Sequence, residues 1–160
     1  MSEKLTTAAK ISALRLLSYR PRSTAEIQNR LSDKFDHETV GITMDWLIRN
    51  EMVNDEKFAN WWTESRVRQK FLGSSMIRKE LFEKGISSNI VNKALVNVDD
   101  NLNAHQLAER MFRTIGTKDI KQFKRKLYGK LLRRGFSSGV ALGSIDKVWN
   151  SLNVSKEISL

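Results

Sequence analysis

The sequence predicts an all-α protein built as three tandem three-helix repeats in an elongated, curved array. Three observations carry that expectation. First, one pattern returns at a fixed spacing of fifty residues: Ile27, Leu31, Lys34 and Val40 recur as Ile77, Leu81, Lys84 and Ile90, then as Leu127, Leu131, Arg134 and Val140. Second, the apolar spacing inside each copy is that of a helix face. Third, the 160 residues hold only one Pro and eight Gly, while good helix formers fill the periodic stretches. A unit of about fifty residues buries little surface alone, so neighbours must cover one another's apolar faces. The repeats are expected at 1–54, 55–98 and 99–152, with a polar tail at 153–160.

In the first repeat, Ile11, Leu14 and Leu17 form an apolar series that Arg20-Pro21 terminates. Ser23-Thr24-Ala25-Glu26 has the form of a capping box and opens a second helix with Ile27 and Leu31 inward. Asp36 caps a third helix carrying Val40, Met44, Leu47 and Ile48 and ending near Asn50. In the second repeat, Asn54 or Asp55 caps a helix with Phe58, Trp61, Trp62 and Val67, which Gly73 breaks. Ser74 or Ser75 starts the next helix, with Ile77 and Leu81; Gly85 supplies the left-handed residue after it. Ser87 then opens a helix with Ile90, Ala94 and Leu95. The third repeat follows the same plan: Leu102, Leu107, Met111 and Ile115, a break at Gly116, then Ile120, Phe123, Leu127 and Leu131. Gly135 ends that helix, and Ser137 precedes Val140, Ile145 and Trp149.

Composition excludes several classes. With no cysteine there is neither a disulfide nor a thiolate metal site. No apolar run approaches the roughly 20 residues that span a bilayer, and the start lacks a secretory core, so a cytoplasmic protein is expected. His37 and His105 lie far apart without ligand-like spacing. Gly116-Thr117-Lys118 lacks the frame of a phosphate loop, and Asp99-Asp100 read as helix caps rather than an acid and base pair. No nucleophile has a neighbouring base. Neither an enzyme nor a cofactor is expected.

The net charge is +10 and grows along the chain, from 0 over residues 1–55 to +4 over 56–98 and +6 over 99–160. A field of that sign attracts polyanions. From Lys118 to Arg134 there are eight basic side chains and one acidic one. With Ile120, Phe123, Leu127 and Leu131 inward, Lys121, Arg125, Lys126 and Arg133 fall on the outer half of that helix. Lys124 joins them as a candidate contact. In the central repeat the candidates are Arg66, Arg68, Lys70, Arg78 and Lys79.

Asp55-Glu56-Lys57-Phe58-Ala59 with Trp62, Arg66, Gly73, Ile77, Glu80-Leu81 and Lys84-Gly85-Ile86 resembles the central signature of the bacterial RecX family. Ala13 through Leu17 with Arg22-Ser23, Glu26 and Leu31 is similar to that family's first repeat, and Arg133-Arg134-Gly135-Phe136 to its last. Ser74 stands where many members have Pro, and Phe35 where the later repeats have Gly. The resemblance implies an inhibitor of the RecA recombinase that binds the groove of the RecA–DNA filament. It further implies suppression of ATP hydrolysis, strand exchange and coprotease activity in the SOS response. A monomer is expected. The alternative is a direct, largely sequence-independent DNA-binding protein. A sequence-specific binder would use Thr39 to Trp46 as its recognition helix, a poor one because the first repeat is electrically neutral.

Overall fold

The computed structural model describes residues 2–115 and 119–157. Among the described residues there are nine α-helices and no strand. They are α1 (Ser2–Tyr19), α2 (Thr24–Ser32), α3 (His37–Arg49), α4 (Asp55–Lys70), α5 (Ser74–Glu83), α6 (Ser88–Leu95), α7 (Asp100–Ile115), α8 (Ile120–Arg133) and α9 (Ser138–Glu157). The all-α class and the helix order agree with the sequence reading. The break expected at Gly116, the side chain of Ile115 and the last residues of the expected tail, 158–160, lie outside the described residues.

The chain divides into two compact units, and the division falls inside α4 and inside α5. Unit 1 comprises Met1–Trp62 and Glu80–Ala94; unit 2 comprises Thr63–Lys79 and Leu95–Leu160. In unit 1, α1 packs on α2 and α3 around Ala9, Ala13, Ile27, Leu31, Val40, Met44, Leu47 and Val53. In unit 2, α9 packs on α7 and α8 around Phe123, Leu127, Leu131, Phe136, Ile145 and Val148. Phe112 meets Phe123 edge-on at 5.2 Å between centroids, a favoured aromatic geometry.

Helix starts follow the sequence closely because each has a local chemical cause. Ser23 Oγ accepts the Glu26 amide while the Glu26 carboxylate accepts the Ser23 amide, completing the capping box. Asp36 caps α3 through the Thr39 amide, Asn54 accepts the Lys57 amide, and Asp99 accepts the Leu102 amide. Gly85 and Gly135 take φ of +75° and +89°, and the next amide reaches back to Leu81 and Leu131 respectively.

Two kinds of expectation are corrected. Ile11, Leu14, Ile48 and Leu102 were expected inward and are 62%, 40%, 50% and 51% exposed. In α1 and α7 the core is formed instead by Ala9 and Ala13 and by Ala104 and Ala108, because a methyl side chain lets helices approach closely, while α3 buries Leu47 beside the exposed Ile48. In the first turns of α6 and α9 the buried residues are Val91 and Ala141, one position beyond the half-buried Ile90 and Val140. The end of α4 also differs. The helix stops at Lys70, and Phe71 rather than Gly73 adopts the left-handed backbone, at φ +50°. Gly73 serves close approach instead, since a Cβ there would lie 2.6 Å from the Gly135 carbonyl oxygen.

Candidate functional site

The two units differ sharply in charge. Unit 1 holds eleven Lys and Arg against eleven Asp and Glu, so its net charge is zero. Unit 2 holds seventeen against seven, a net charge of +10, which is that of the whole chain. All ten candidate contact residues, from Arg66 to Arg133, belong to unit 2.

Unit 1 gathers several charged side chains at one joint. Ser23 Oγ donates to the Lys84 carbonyl at 2.6 Å, and the Thr24 amide donates to Asp55 at 2.8 Å. The Glu26 carboxylate receives Arg20 at 2.6 Å and Lys84 at 2.9 Å. Both cations also lie over the Trp62 ring, at 6.0 and 5.1 Å from its centroid, while the Trp62 Nε1–H donates to Glu80 at 2.8 Å. Burial disfavours the charged form of Glu26, but the hydrogen bonds from Arg20, Lys84 and Ser23 outweigh it and lower the pKa to about 2.

Unit 2 contains the equivalent joint fifty residues on, made of backbone amides and carbonyls, hydroxyls and the Asp100 carboxylate. The Gly73 amide donates to the Arg134 carbonyl at 2.8 Å, Ser74 bonds Asp100 through its amide and hydroxyl, and Ser75 Oγ donates to the Gly135 carbonyl. Met76 occupies the position corresponding to Glu26. Met76 carries no charge with which to hold a cation at that position.

The candidates therefore fall into two groups. Arg68, Lys70, Lys121, Arg125, Lys126 and Arg133 are exposed, and among the described residues none has an ion-pair partner. Lys121, Arg125, Lys126 and Arg133 occupy the outer half of α8, opposite the buried Phe123, Leu127 and Leu131. Arg66, Arg78 and Lys79 each engage other groups of the protein. Lys124 is half-buried and bonds Asp146 of α9 at 2.9 Å, so it is tied to its own fold.

Sequence reasoning passed over a second basic feature of unit 2. A cleft of about 430 Å³ is lined by Gln69 of α4 and Phe71 just after it, by Leu107, Arg110, Met111 and Thr114 of α7, and by Lys130 and Arg134 at the end of α8. An adjoining cleft of about 520 Å³ shares Phe71, Arg110 and Thr114 with it and adds Gln106, Glu109 and Arg113. The Arg110 guanidinium lies 5.8 Å from the Phe71 ring centroid. A left-handed conformation at a bulky residue costs roughly 1–3 kcal/mol and persists where surrounding structure enforces it. The signal available in the sequence was Phe71 itself, two residues before the Gly taken as the break.

No group of three or more potential metal-ligating side chains occurs among the described residues, and no described helix is long and apolar enough to cross a membrane. Glu109 lies 3.5 Å from His105, whose Nδ1 has no hydrogen-bond partner. On α3, the helix considered for groove reading, Thr39, Thr43 and Met44 are buried and Asp45 is exposed.

Models of the first, second and third three-helix domains of RecX match residues 9–47, 54–95 and 99–142. The chain belongs to the RecX family. Among curated RecX proteins, the regulatory protein RecX of Chlorobium phaeobacteroides is 35% identical over 141 residues, covering 87% of this chain and 92% of that protein. The regulatory protein RecX of Corynebacterium efficiens is 32% identical over 139 residues, covering 81% of this chain. The chain spans 66% of the length of that relative and 54% of a Lactococcus lactis RecX that is 30% identical. The crystal structure of RecX from Lactobacillus salivarius superposes with a TM-score of 0.77 at 23% identity, over 91% of this chain and 97% of that one. That likeness establishes the RecX fold of three three-helix domains.

Proposed function

We propose that this RecX-family protein is a cytoplasmic, monomeric regulator of the RecA recombinase that binds the groove of the RecA–DNA filament through unit 2. Bound there, it suppresses ATP hydrolysis, strand exchange and coprotease activity. The observation that carries the reading is the placement of the entire net charge of +10 on unit 2, with cations along the outer half of α8 that have no ion-pair partner among the described residues. A nucleoprotein filament is a polyanion, and a one-sided positive field speeds encounter with it. Membership of a family whose curated relatives are named regulatory proteins supports a modulating role rather than turnover.

The test is reversal of Lys121, Arg125 and Arg133 to Glu. These side chains are exposed, so helix content should stay intact while suppression of RecA ATPase weakens. Fields between exposed charges are screened over roughly 8 Å at physiological ionic strength, so added salt should weaken the wild type more than the reversed protein. Unchanged inhibition by the triple variant at low and moderate salt would refute a role for the α8 face. A protein that binds bare DNA as well as filaments and leaves RecA unaffected would refute the regulator reading itself.

A further inference from the structure

We propose that the Phe71 cleft of unit 2 binds single-stranded nucleic acid, with a base against the Phe71 ring and the flanking phosphates on Arg110, Lys130 and Arg134. This inference concerns a contact made without RecA and does not rest on the filament reading.

Chemistry and shape both favour that occupant. The 430 Å³ cleft has three cations and no carboxylate in its lining, and its apolar residues are Phe71, Leu107 and Met111. Among the described residues, none of the three cations has an ion-pair partner. Among the described residues Phe71 is the one aromatic residue lining either cleft, and both clefts border it, so open volume adjoins this partly buried residue. A planar apolar surface flanked by cations on two helices matches a nucleotide, in which a flat base alternates with a charged phosphate. Such stacking tolerates any base, since each has a π-face. In a duplex the bases are paired and stacked, so the cleft selects single strands. An acidic peptide would satisfy the cations but has no planar group for the ring. The left-handed backbone at Phe71, φ +50°, holds an aromatic residue where glycine would be the unstrained choice. Gln69 and Thr114 add polar groups at the edge of the cleft.

The experiment uses the full chain without RecA and reads fluorescence anisotropy of a labelled oligothymidylate and of an abasic oligomer of the same length. Both carry the same phosphates, so the ratio of affinities isolates the base contact. Wild type should prefer the oligothymidylate by roughly 5- to 150-fold, the range of one stacked base. Phe71→Leu keeps apolar volume against the neighbouring core but removes the flat ring, and should bring the ratio near one while leaving abasic binding unchanged. Phe71→Gly, which suits the left-handed backbone, should do the same, and circular dichroism checks that both variants remain folded. A wild-type ratio near one, or a ratio that survives both substitutions, overturns the proposal. So does displacement by a glutamate-rich peptide as effective as unlabelled oligonucleotide, which would assign the cleft to acidic peptides. None of these failures bears on suppression of RecA ATPase, which is measured with RecA present.

Discussion

Units 1 and 2 contain the same joint fifty residues apart, yet in one a carboxylate gathers two cations and in the other the Asp100 carboxylate meets only the amide and hydroxyl of Ser74 among the bonds described. In unit 1, Glu26 gathers Arg20 and Lys84 beside Trp62. In unit 2, Met76 stands in place of the acid, and Gly73 and Gly135 bring two backbones together. The units differ in charge as well, since unit 1 is neutral and unit 2 carries a net charge of +10. Repeat proteins can thus keep one packing scheme while their units differ in charge.

The largest expected effect would show that both units depend equally on their cores. Phe123→Ala in unit 2 should cost about 3–5 kcal/mol and Leu81→Ala in unit 1 about 2–5 kcal/mol, since both side chains are fully buried. Urea denaturation followed by circular dichroism measures both. A cost near zero at either site would mean that the core assignment of that unit is wrong.

Acid should separate the units next. The folded pKa of Glu26 is about 2 against an ordinary 4.5, so its ionisation stabilises unit 1 fully above pH 4.5. That stability, up to about 3 kcal/mol, is lost as pH falls from about 4.5 to about 2, because the unfolded state takes up the proton first. Trp46, Trp61 and Trp62 lie in unit 1 and Trp149 in unit 2, so tryptophan fluorescence mostly reports the former. Glu26→Gln should remove this pH dependence and lower stability at neutral pH. If acid unfolding of the variant matches wild type through that window, the network contributes nothing.

Smaller effects sharpen the contrast within unit 2. Lys124→Ala, which removes the surface pair with Asp146, should cost about 0.2–1 kcal/mol. Arg125→Glu should change stability by no more than about 0.5 kcal/mol, because the side chain is exposed and has no acid to lose. Thermal melts at low salt compare the two. A larger cost for Arg125→Glu than for Lys124→Ala would show that the outer face of α8 is structural.

What the sequence determined by itself was the local chemistry of helix ends and the large residues of the inner faces. Ser23 with Glu26, Asp36, Asn54, Asp99, Gly85 and Gly135 act within a few residues of themselves, so their roles need no tertiary contact. Ile27, Ile77, Leu81, Phe123, Leu127 and Leu131 are buried as their spacing required. Only the tertiary structure decided which alanines are core, because a methyl group is buried or exposed according to how near the next helix comes. Ala9, Ala13, Ala104, Ala108 and Ala141 are fully buried, while the larger Ile11 and Leu102 face outward. It also decided where charge is free. Along the chain the surplus of cations rises gradually, but Lys84 folds onto Glu26 and Lys124 onto Asp146, and the whole net charge falls on unit 2. Phe71, Arg110, Lys130 and Arg134 come from three helix ends and faces far apart in sequence, and no periodicity brings them to one cleft. Electrostatics and close packing depend on distances in space, whereas capping and helix periodicity depend on distances along the chain.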